Sequence, residues 1–450
     1  MEAAGRRTLI TGYDSAMDLT FSLLGQRMNA GSGIVSLMDD LGRALTERPD
    51  MLMLGGGNPA AVPAVQARWR ERMSELLADG TRFDAMLGNY DPPQGNPAFI
   101  ASLAAMLQRE LGWNVGPENI AVTLGGQTAF FFLFNLLAGR TMVAGRVQHR
   151  KILLPLCPEY IGYADQGLEP ESFIACRPTI EWPRGEASRE FKYGVDFTAV
   201  AAALAGGDIA AMVVSRPTNP TGNVLTDDEI HRLAALADAH GVPLIIDNAY
   251  GAPFPGVIFT EATPFWSPTT ILTLSLSKLG LPGTRTAAVI APPPVIKALS
   301  AMTAIAGLAN TNIGQRLVQP MLDSGELLTL SRTVLRPFYQ EKSRLALGWI
   351  HEIFSAAGLD YAVHTSEGAF FHWLWLRGLP VSTRELYERL KERGVLVVPG
   401  EPFFFGLPDD WPHARECLRL NFSGRPGVVR EGLQRIAAEA VAIVRLHRGD

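Results

Sequence analysis

Apolar and polar positions alternate along this chain with two different periods. After about residue 100, short apolar runs closed by Gly, Pro or Asn trade places with longer stretches whose apolar residues recur every three to four positions. The short runs have the pattern of strands covered on both faces, the longer ones that of helices. "NIAVTLGG" predicts a strand ending in glycines, and "QTAFFFLFNLLAG" a buried helix stopped by Gly139. "KILLPLCP" and "SFIACRP" read as strands closed by proline, and "IAAMVVSRPTNPTG" as a strand running into a Pro/Asn/Gly turn. In "TDDEIHRLAALADAHG", Thr226 and Glu229 have the spacing of a capping box, and apolar positions 230, 233, 234 and 237 share one helix face that Gly241 closes. "VPLIIDNAY" and "TTILTLSLSK" continue the alternation, while "TAAVIAPP" reads as an edge strand doubling back.

Such alternation predicts an α/β fold, a mostly parallel central sheet wrapped by helices. Between about residues 295 and 350 the pattern turns helical and more polar. A long connecting helix is expected through "LLTLSRTVLRPFYQEKSRLALGWIHEIFSAAG", kinked or broken at Pro337. "GAFFHWLWL", "RELYERLKERGVLVVPG" and "CLRLNFS" then give strand, helix and strand, a smaller α+β domain. The expected division is residues 1–20 as a flexible extension (Met17 being an alternative start), 21–60 as an N-terminal arm and part of the small domain, 61–325 as the large domain and 326–450 as the small one. No low-complexity linker separates them, so firm contact is expected, and no repeat of 20–50 residues points to a solenoid.

Composition removes several functions. At 47% hydrophobic and 19% charged, the chain is an ordinary globular one. Its net charge of −5 carries no basic block or stripe, which argues against a nucleic-acid surface and a polybasic membrane patch. No apolar run approaches the roughly 18 residues that span a bilayer, and "MEAAGRRTLITGYDSAMDLT" lacks the apolar core of a signal peptide. Cys157, Cys176 and Cys417 form neither a disulfide framework nor a CxxC pair, so a reducing, cytoplasmic setting is expected. The eight histidines show no HxxxH or HxH spacing, no metal site is expected, and His372 in "FFHWLWL" reads as a packed core residue.

In open α/β sheets ligands collect at the carboxyl ends of the strands, and the sharp polar residues fall there repeatedly. Gly125, Gly126 and Gln127 end one strand and open a helix, leaving free N–H groups that can cradle an anion. Asn219 lies in a turn after another strand, Asp247 and Tyr250 close "LIIDNAY", and Ser275, Ser277 and Lys278 close "TLSLSK" with Arg285 just beyond. Taken singly, each has an ordinary explanation: a turn aspartate, a tight glycine turn, a snorkelling lysine. Together, an anion cradle, a carboxylate, a lysine, an arginine and several hydroxyls on one sheet edge suit a phosphorylated cofactor.

"SRPTNPTG", "IIDNAY" and "SLSKLGLPGTR", in that order, resemble the class I/II aminotransferases of the fold-type I, pyridoxal-phosphate-dependent group. The resemblance runs from about Phe21 to the C-terminal region. "MLGGGNPA", "NYDPPQG", "PLCPEYIGYADQGLE", "NAYGAPFPGVIF" and "WPHARECLRLNF" narrow it to a branch exchanging an amino group between L-valine and pyruvate, with 3-methyl-2-oxobutanoate and L-alanine as products. The resemblance implies that Lys278 forms a Schiff base with pyridoxal 5′-phosphate and that Asp247 pairs with the pyridinium nitrogen. It also implies that Tyr250 and Asn219 donate to the ring oxygen and that Tyr160 stacks on the ring face, where the aspartate enzymes carry tryptophan. Gly125, Gly126, Gln127, Ser275, Ser277 and Arg285 would hold the phosphate, with Arg419, Asn219 and Gly56 meeting the substrate. Tyr90 matches a tyrosine that reaches the phosphate of a neighbouring subunit, which implies a homodimer with shared sites. The residues themselves agree on Lys278: an amine in apolar company beside Arg285 loses part of its pKa of ~10.4 and becomes nucleophilic. A C–S lyase or another aliphatic aminotransferase of the same fold would share these residues, and a non-catalytic sensor could retain the pocket.

Overall fold

The computed structural model of the chain describes residues 20–29, 33–48 and 50–448, so nearly all of the expected N-terminal extension lies outside the described residues. Among the described residues, sixteen strands form the sheets. In chain order they are β1 (Leu52–Met53), β2 (Ile120–Thr123), β3 (Gly139–Val143), β4 (Arg146–Leu154), β5 (Phe173–Ala175), β6 (Thr179–Glu181), β7 (Glu190–Gly194) and β8 (Ile209–Ser215). There follow β9 (Leu244–Asp247), β10 (Thr270–Ser275), β11 (Ala287–Ile290), β12 (Tyr361–His364), β13 (Phe371–Leu376), β14 (Val395–Leu396), β15 (Val398–Pro399) and β16 (Cys417–Asn421).

The first sheet has the order β2-β11-β10-β9-β8-β4-β3, with β5 beside β4. β10, β9, β8, β4 and β5 pair in parallel. Every residue of β2, β8, β10 and β11 is buried, as a doubly covered sheet requires. β11 doubles back as expected, but it is not an edge: it lies between β10 and β2, antiparallel to both. An apolar "TAAVIA" run looks the same at an edge and in the interior, and only the return of β2 from far upstream decides between them. The run through Gly139 also holds a strand the helix pattern hid, because β3 forms a hairpin with β4.

The second sheet runs β15-β16-β13-β12-β7-β6. Residues 179–194 (β6 and β7) therefore join strands from beyond residue 360, although they fall within the span expected for the large domain. The N-terminal segment is tied in through β1, parallel to β14, with Leu52 opposite Val395. His372 is a core residue, its Nε2 3.1 Å from the Ser343 carbonyl and its ring beside Phe422.

The long connecting helix is interrupted at the expected place. Glu326–Leu330 is α-helical, Ser331–Leu335 forms a π-helical turn, and Arg336–Ala356 resumes the α-helix with Pro337 in its first turn. Proline there lacks the N–H that an unbroken helix would need, and the wider turn ahead of it absorbs the mismatch. The Thr226 capping box forms in full: Thr226 Oγ1 accepts from the Glu229 N–H at 3.2 Å, and Glu229 Oε2 accepts from the Thr226 N–H at 2.8 Å. Thr226→Ala is expected to destabilise the protein by about 1 kcal/mol in urea unfolding, without altering the fold.

Candidate active site

Register brings the polar residues together. β2, β8, β9 and β10 point the same way, so their carboxyl ends share one edge of the sheet. β11 runs against them and delivers its amino end, preceded by Arg285, to that same edge. Asp247 is opposite Thr273 on one side and Ser215 on the other, while Ala287 joins Ser275 to Thr123. Past these rows the chain turns into Gly125–Gln127, Tyr160, Asn219, Tyr250 and Ser277–Lys278.

One cavity is lined by Gly126, Gln127, Tyr160, Asn219, Asp247, Tyr250, Ser275, Ser277, Lys278, Arg285 and Arg419. Gly125 stands behind it with φ +81°, and a Cβ there would lie 2.5 Å from the Arg285 guanidinium, so glycine is required for both backbone and space. Arg285 itself is exposed, with Nη2 3.4 Å from the Leu124 carbonyl at the mouth of the helix Gly126–Leu137. Gly56 does not line this cavity but an adjoining hollow at its mouth. Its neighbours do the contacting: Arg419 Nη2 donates to the Gly55 carbonyl at 2.6 Å and Lys278 Nζ to the Gly57 carbonyl at 2.6 Å. Asn421 Nδ2 donates to the Gly56 carbonyl. Tyr90 stands apart on the surface, 82% exposed.

The charges are arranged against water. Lys278 lies deep among protein atoms, and burial, reinforced by the Arg419 charge, lowers its amine from 10.5 to about 8. Its Nζ sits 5.1 Å from the centre of the Tyr250 ring. Arg419 is brought from β16 of the second sheet and is fully buried, with Nη1 2.9 Å from Asn219 Oδ1 and its guanidinium 4.3 Å from the Phe371 ring. Burial pulls even this group down, to about 10, and its Nε has no partner among the described residues. Asp247 is pushed up from the ordinary carboxylate range by burial, against which three donors and the Lys278 charge pull it back. Those donors are the Tyr163 hydroxyl at 2.5 Å, the Ala249 N–H at 2.9 Å and the Thr273 hydroxyl at 3.3 Å.

Two of the buried polar residues here escape sequence reasoning. Tyr163, which donates to Asp247, sits one 3₁₀ turn after Tyr160 with its ring edge-on to it at 5.2 Å. Glu159 is wholly buried, and its carboxylate accepts from both the N–H and the hydroxyl of Ser215. A signal existed for Glu159: it is the lone charge in the apolar stretch "KILLPLCPEYIGY" apart from the leading lysine. Tyr163 had none, since a tyrosine in a loop is unremarkable until its partner is known. The roof is apolar: Ile34, Leu37 and Met38 of the helix Gly33–Glu47, together with Ile161. Among the described residues no group of three or more His, Cys, Asp or Glu could hold a metal ion, and no helix is long and apolar enough to cross a membrane.

A mostly parallel sheet thus sets a lysine, a buried carboxylate and a helix N-terminus along one edge, and comparison identifies the class of protein built this way. Residues 173–436 match the family described as aminotransferase class I and II, and the chain belongs to that family, with the fold-type I architecture of its members. It is 47% identical over 422 residues to the valine–pyruvate aminotransferase of Escherichia coli, covering 94% of this chain and 98% of that protein. A crystal structure of valine–pyruvate aminotransferase from Salmonella typhimurium superimposes with a TM-score of 0.82 at 44% identity, covering 93% of this chain and all of that one. A putative amino-acid aminotransferase from Psychrobacter arcticum fits with a TM-score of 0.91 at 42% identity, over 96% of this chain and 100% of that chain.

Two outcomes follow from the electrostatics. In the unloaded protein, amine labelling of Lys278 should titrate with a midpoint near pH 8 rather than 10.5, and Arg419→Met, by removing a positive neighbour, should move that midpoint upward. Tyr163→Phe should cost about 1–3 kcal/mol in urea unfolding at pH 7, because a buried carboxylate loses one of its three donors.

Proposed function

We propose that this protein is a pyridoxal-phosphate-dependent aminotransferase that moves the amino group between L-valine and pyruvate, giving 3-methyl-2-oxobutanoate and L-alanine. The observation that carries this reading is a lysine, its amine lowered by burial to about 8, in one cavity with a buried aspartate and a buried arginine. The donor set fits the cofactor. A helix N-terminus with an open face at Gly126, where a Cβ would meet nothing within 4 Å, stands beside Ser275, Ser277 and Arg285, a set suited to a phosphate dianion. Asp247, whose burial is costly without a cationic partner, is suited to a protonated pyridine nitrogen. When bound, pyridoxal phosphate supplies an aldehyde for an amine and a ring that withdraws electrons from the substrate Cα.

The remaining work falls to side chains of this chain. Lys278, near pH 8, has an appreciable neutral fraction at physiological pH, so it can hold the aldehyde and, once released, take the proton from the substrate Cα. Asp247, held ionised in part by the hydrogen bond from Tyr163, would pair with the cofactor's ring nitrogen and favour its protonated form. Burial raises the Tyr250 hydroxyl far above its ordinary value, so it acts as a neutral donor, alongside the Asn219 side chain, to the ring oxygen. Gln127 and Gly125 complete the phosphate end, and Tyr160 offers its ring as a stacking face. Arg419 grips the substrate carboxylate, for which the Gly55 carbonyl must yield its place.

Valine is favoured by what surrounds the substrate. Among the described residues, the cations lining the cavity are Lys278, Arg285 and Arg419, which this reading assigns to the aldehyde, the phosphate and the substrate carboxylate. The apolar roof of Ile34, Leu37 and Met38 suits a branched aliphatic chain. Discrimination among aliphatic substrates should be modest, since one methylene is worth only ~1–3 kcal/mol.

The reading includes a homodimer in the cytoplasm. Tyr90, Ile305 and Leu308 are each exposed on the surface, and Asn312, four residues past Leu308, donates to the carbonyl of Asn89, next to Tyr90, at 3.1 Å. A second copy would cover that surface and bring Tyr90 to its neighbour's phosphate.

The deciding experiment loads purified protein with pyridoxal phosphate and follows alanine formation from valine and pyruvate, with aspartate as the counter-substrate. Valine should be strongly preferred; a preference for aspartate, or pyruvate release from cysteine-type substrates, would replace the reading. Lys278→Ala should lose both the covalent visible band and turnover, and Arg419→Ala should lower kcat/KM about 100-fold, chiefly through KM, from losing a buried charged hydrogen-bonding pair. Tyr90→Phe should weaken cofactor retention in a protein that sediments as a dimer.

A further inference from the structure

The buried Glu159 belongs to neither the cofactor set nor the substrate set, yet it contacts the first directly at Tyr160 and reaches the second through Ser215. Its Oε1 accepts from the Ser215 N–H at 2.7 Å, while Oε2 accepts from the Ser215 hydroxyl at 2.7 Å and from the Tyr160 N–H at 3.0 Å. The Ser215 hydroxyl oxygen in turn accepts from the Asn219 N–H at 3.3 Å, and Asn219 Oδ1 accepts from Arg419 at 2.9 Å. On its other side, the Glu159 N–H donates to the Phe403 carbonyl at 3.0 Å, and the Phe403 ring lies 5.4 Å from the Arg419 guanidinium. Tyr160, Asn219 and Arg419 thus come from three parts of the chain and are joined through one carboxylate.

We infer that Glu159 is a positioning residue whose carboxylate ties the stacking face at Tyr160 to the Ser215–Asn219 turn, so that cofactor face and substrate-carboxylate grip move as one unit. The inference rests on the proposed function. A carboxylate is costly at this depth: burial first, and the charge of Asp247 in addition, push it up to about 8, so both oxygens are acceptors only above that pH, where the variants are to be compared. All three donors that offset this cost are neutral, and they occupy both oxygens. No neutral side chain of the same shape can accept on both, because the amide of glutamine presents its NH₂ to a donor. The two-sided acceptor is what a rigid link needs, since each oxygen fixes one partner strand or loop.

Glu159→Gln tests this, compared with wild type as pyridoxal-phosphate-loaded protein and normalised to cofactor bound. The probe is 3-methylbutanoate, which has valine's carboxylate and side chain but no amine to react. Glu159→Gln should retain the covalent visible band, because Lys278 and Asp247 are untouched. Its Kd for 3-methylbutanoate and its KM for valine should both rise about tenfold, the loss of one charge-assisted hydrogen bond, and its circular dichroism in the visible band should weaken as Tyr160 loosens. Ser215→Ala, which removes the link to Asn219 but spares the Glu159 carboxylate, should raise the same Kd about threefold. Wild-type Kd and dichroism per loaded site in Glu159→Gln would overturn the inference and leave Glu159 as packing. If that variant fails to fold, an unchanged Kd in Ser215→Ala overturns it. A wild-type protein that takes up no cofactor would instead overturn the function on which the inference rests.

Discussion

A carboxylate taken out of water at the centre of a sheet must be met by donors and by positive charge, or it will not stay ionised. Asp247 is placed in that situation by its register: β8 and β10 pair with its strand on both sides, so the main chain cannot withdraw it towards solvent. Three donors reach it from three segments, Tyr163, Ala249 and Thr273, and Lys278 adds its charge. The protein supplies enough to hold the carboxylate in place but not enough to bring it back to its ordinary pKa. That residual demand for positive charge is the reason the proposed function gives Asp247 a protonated heterocycle to meet.

Lys278 and Arg419 answer to the same desolvation with opposite consequences. Burial lowers both, but from such different starting points that lysine falls into the working pH range while arginine, at about 10, stays charged. One side chain can thereby give up its proton near neutral pH while the other keeps its charge. Their mutual repulsion sharpens the difference, since the fixed positive charge depresses the group that can yield its proton.

The site is assembled from two large sheets and the short β1–β14 pair. The first gives the row of strand ends; the second delivers Arg419 on β16, and β1 brings the triple glycine beside it, the Asn421 N–H donating to the Leu54 carbonyl at 2.7 Å. Three carbonyls of that glycine segment engage Arg419, Asn421 and Lys278, so it closes the site with backbone alone. Glycine fits because a side chain at position 55 would press against the Val397 carbonyl, 3.0 Å away.

Local pattern determined much of this protein. The strand–helix alternation, the Thr226 box and the break before Pro337 each depend on a few neighbouring residues, and each is legible because its physics is local. The strand-end residues Asp247, Asn219 and Lys278 were legible too, since a parallel sheet sends its carboxyl ends to one edge whatever the details. Tertiary structure alone decided the rest. That β11 is interior, that residues 179–194 serve the second sheet, and that Tyr163 and Glu159 stand beneath the site all follow from pairings between distant segments. A side chain's solvation and its donors are properties of those meetings, so the protonation of Lys278 and Asp247 was settled only when the chain had closed around them.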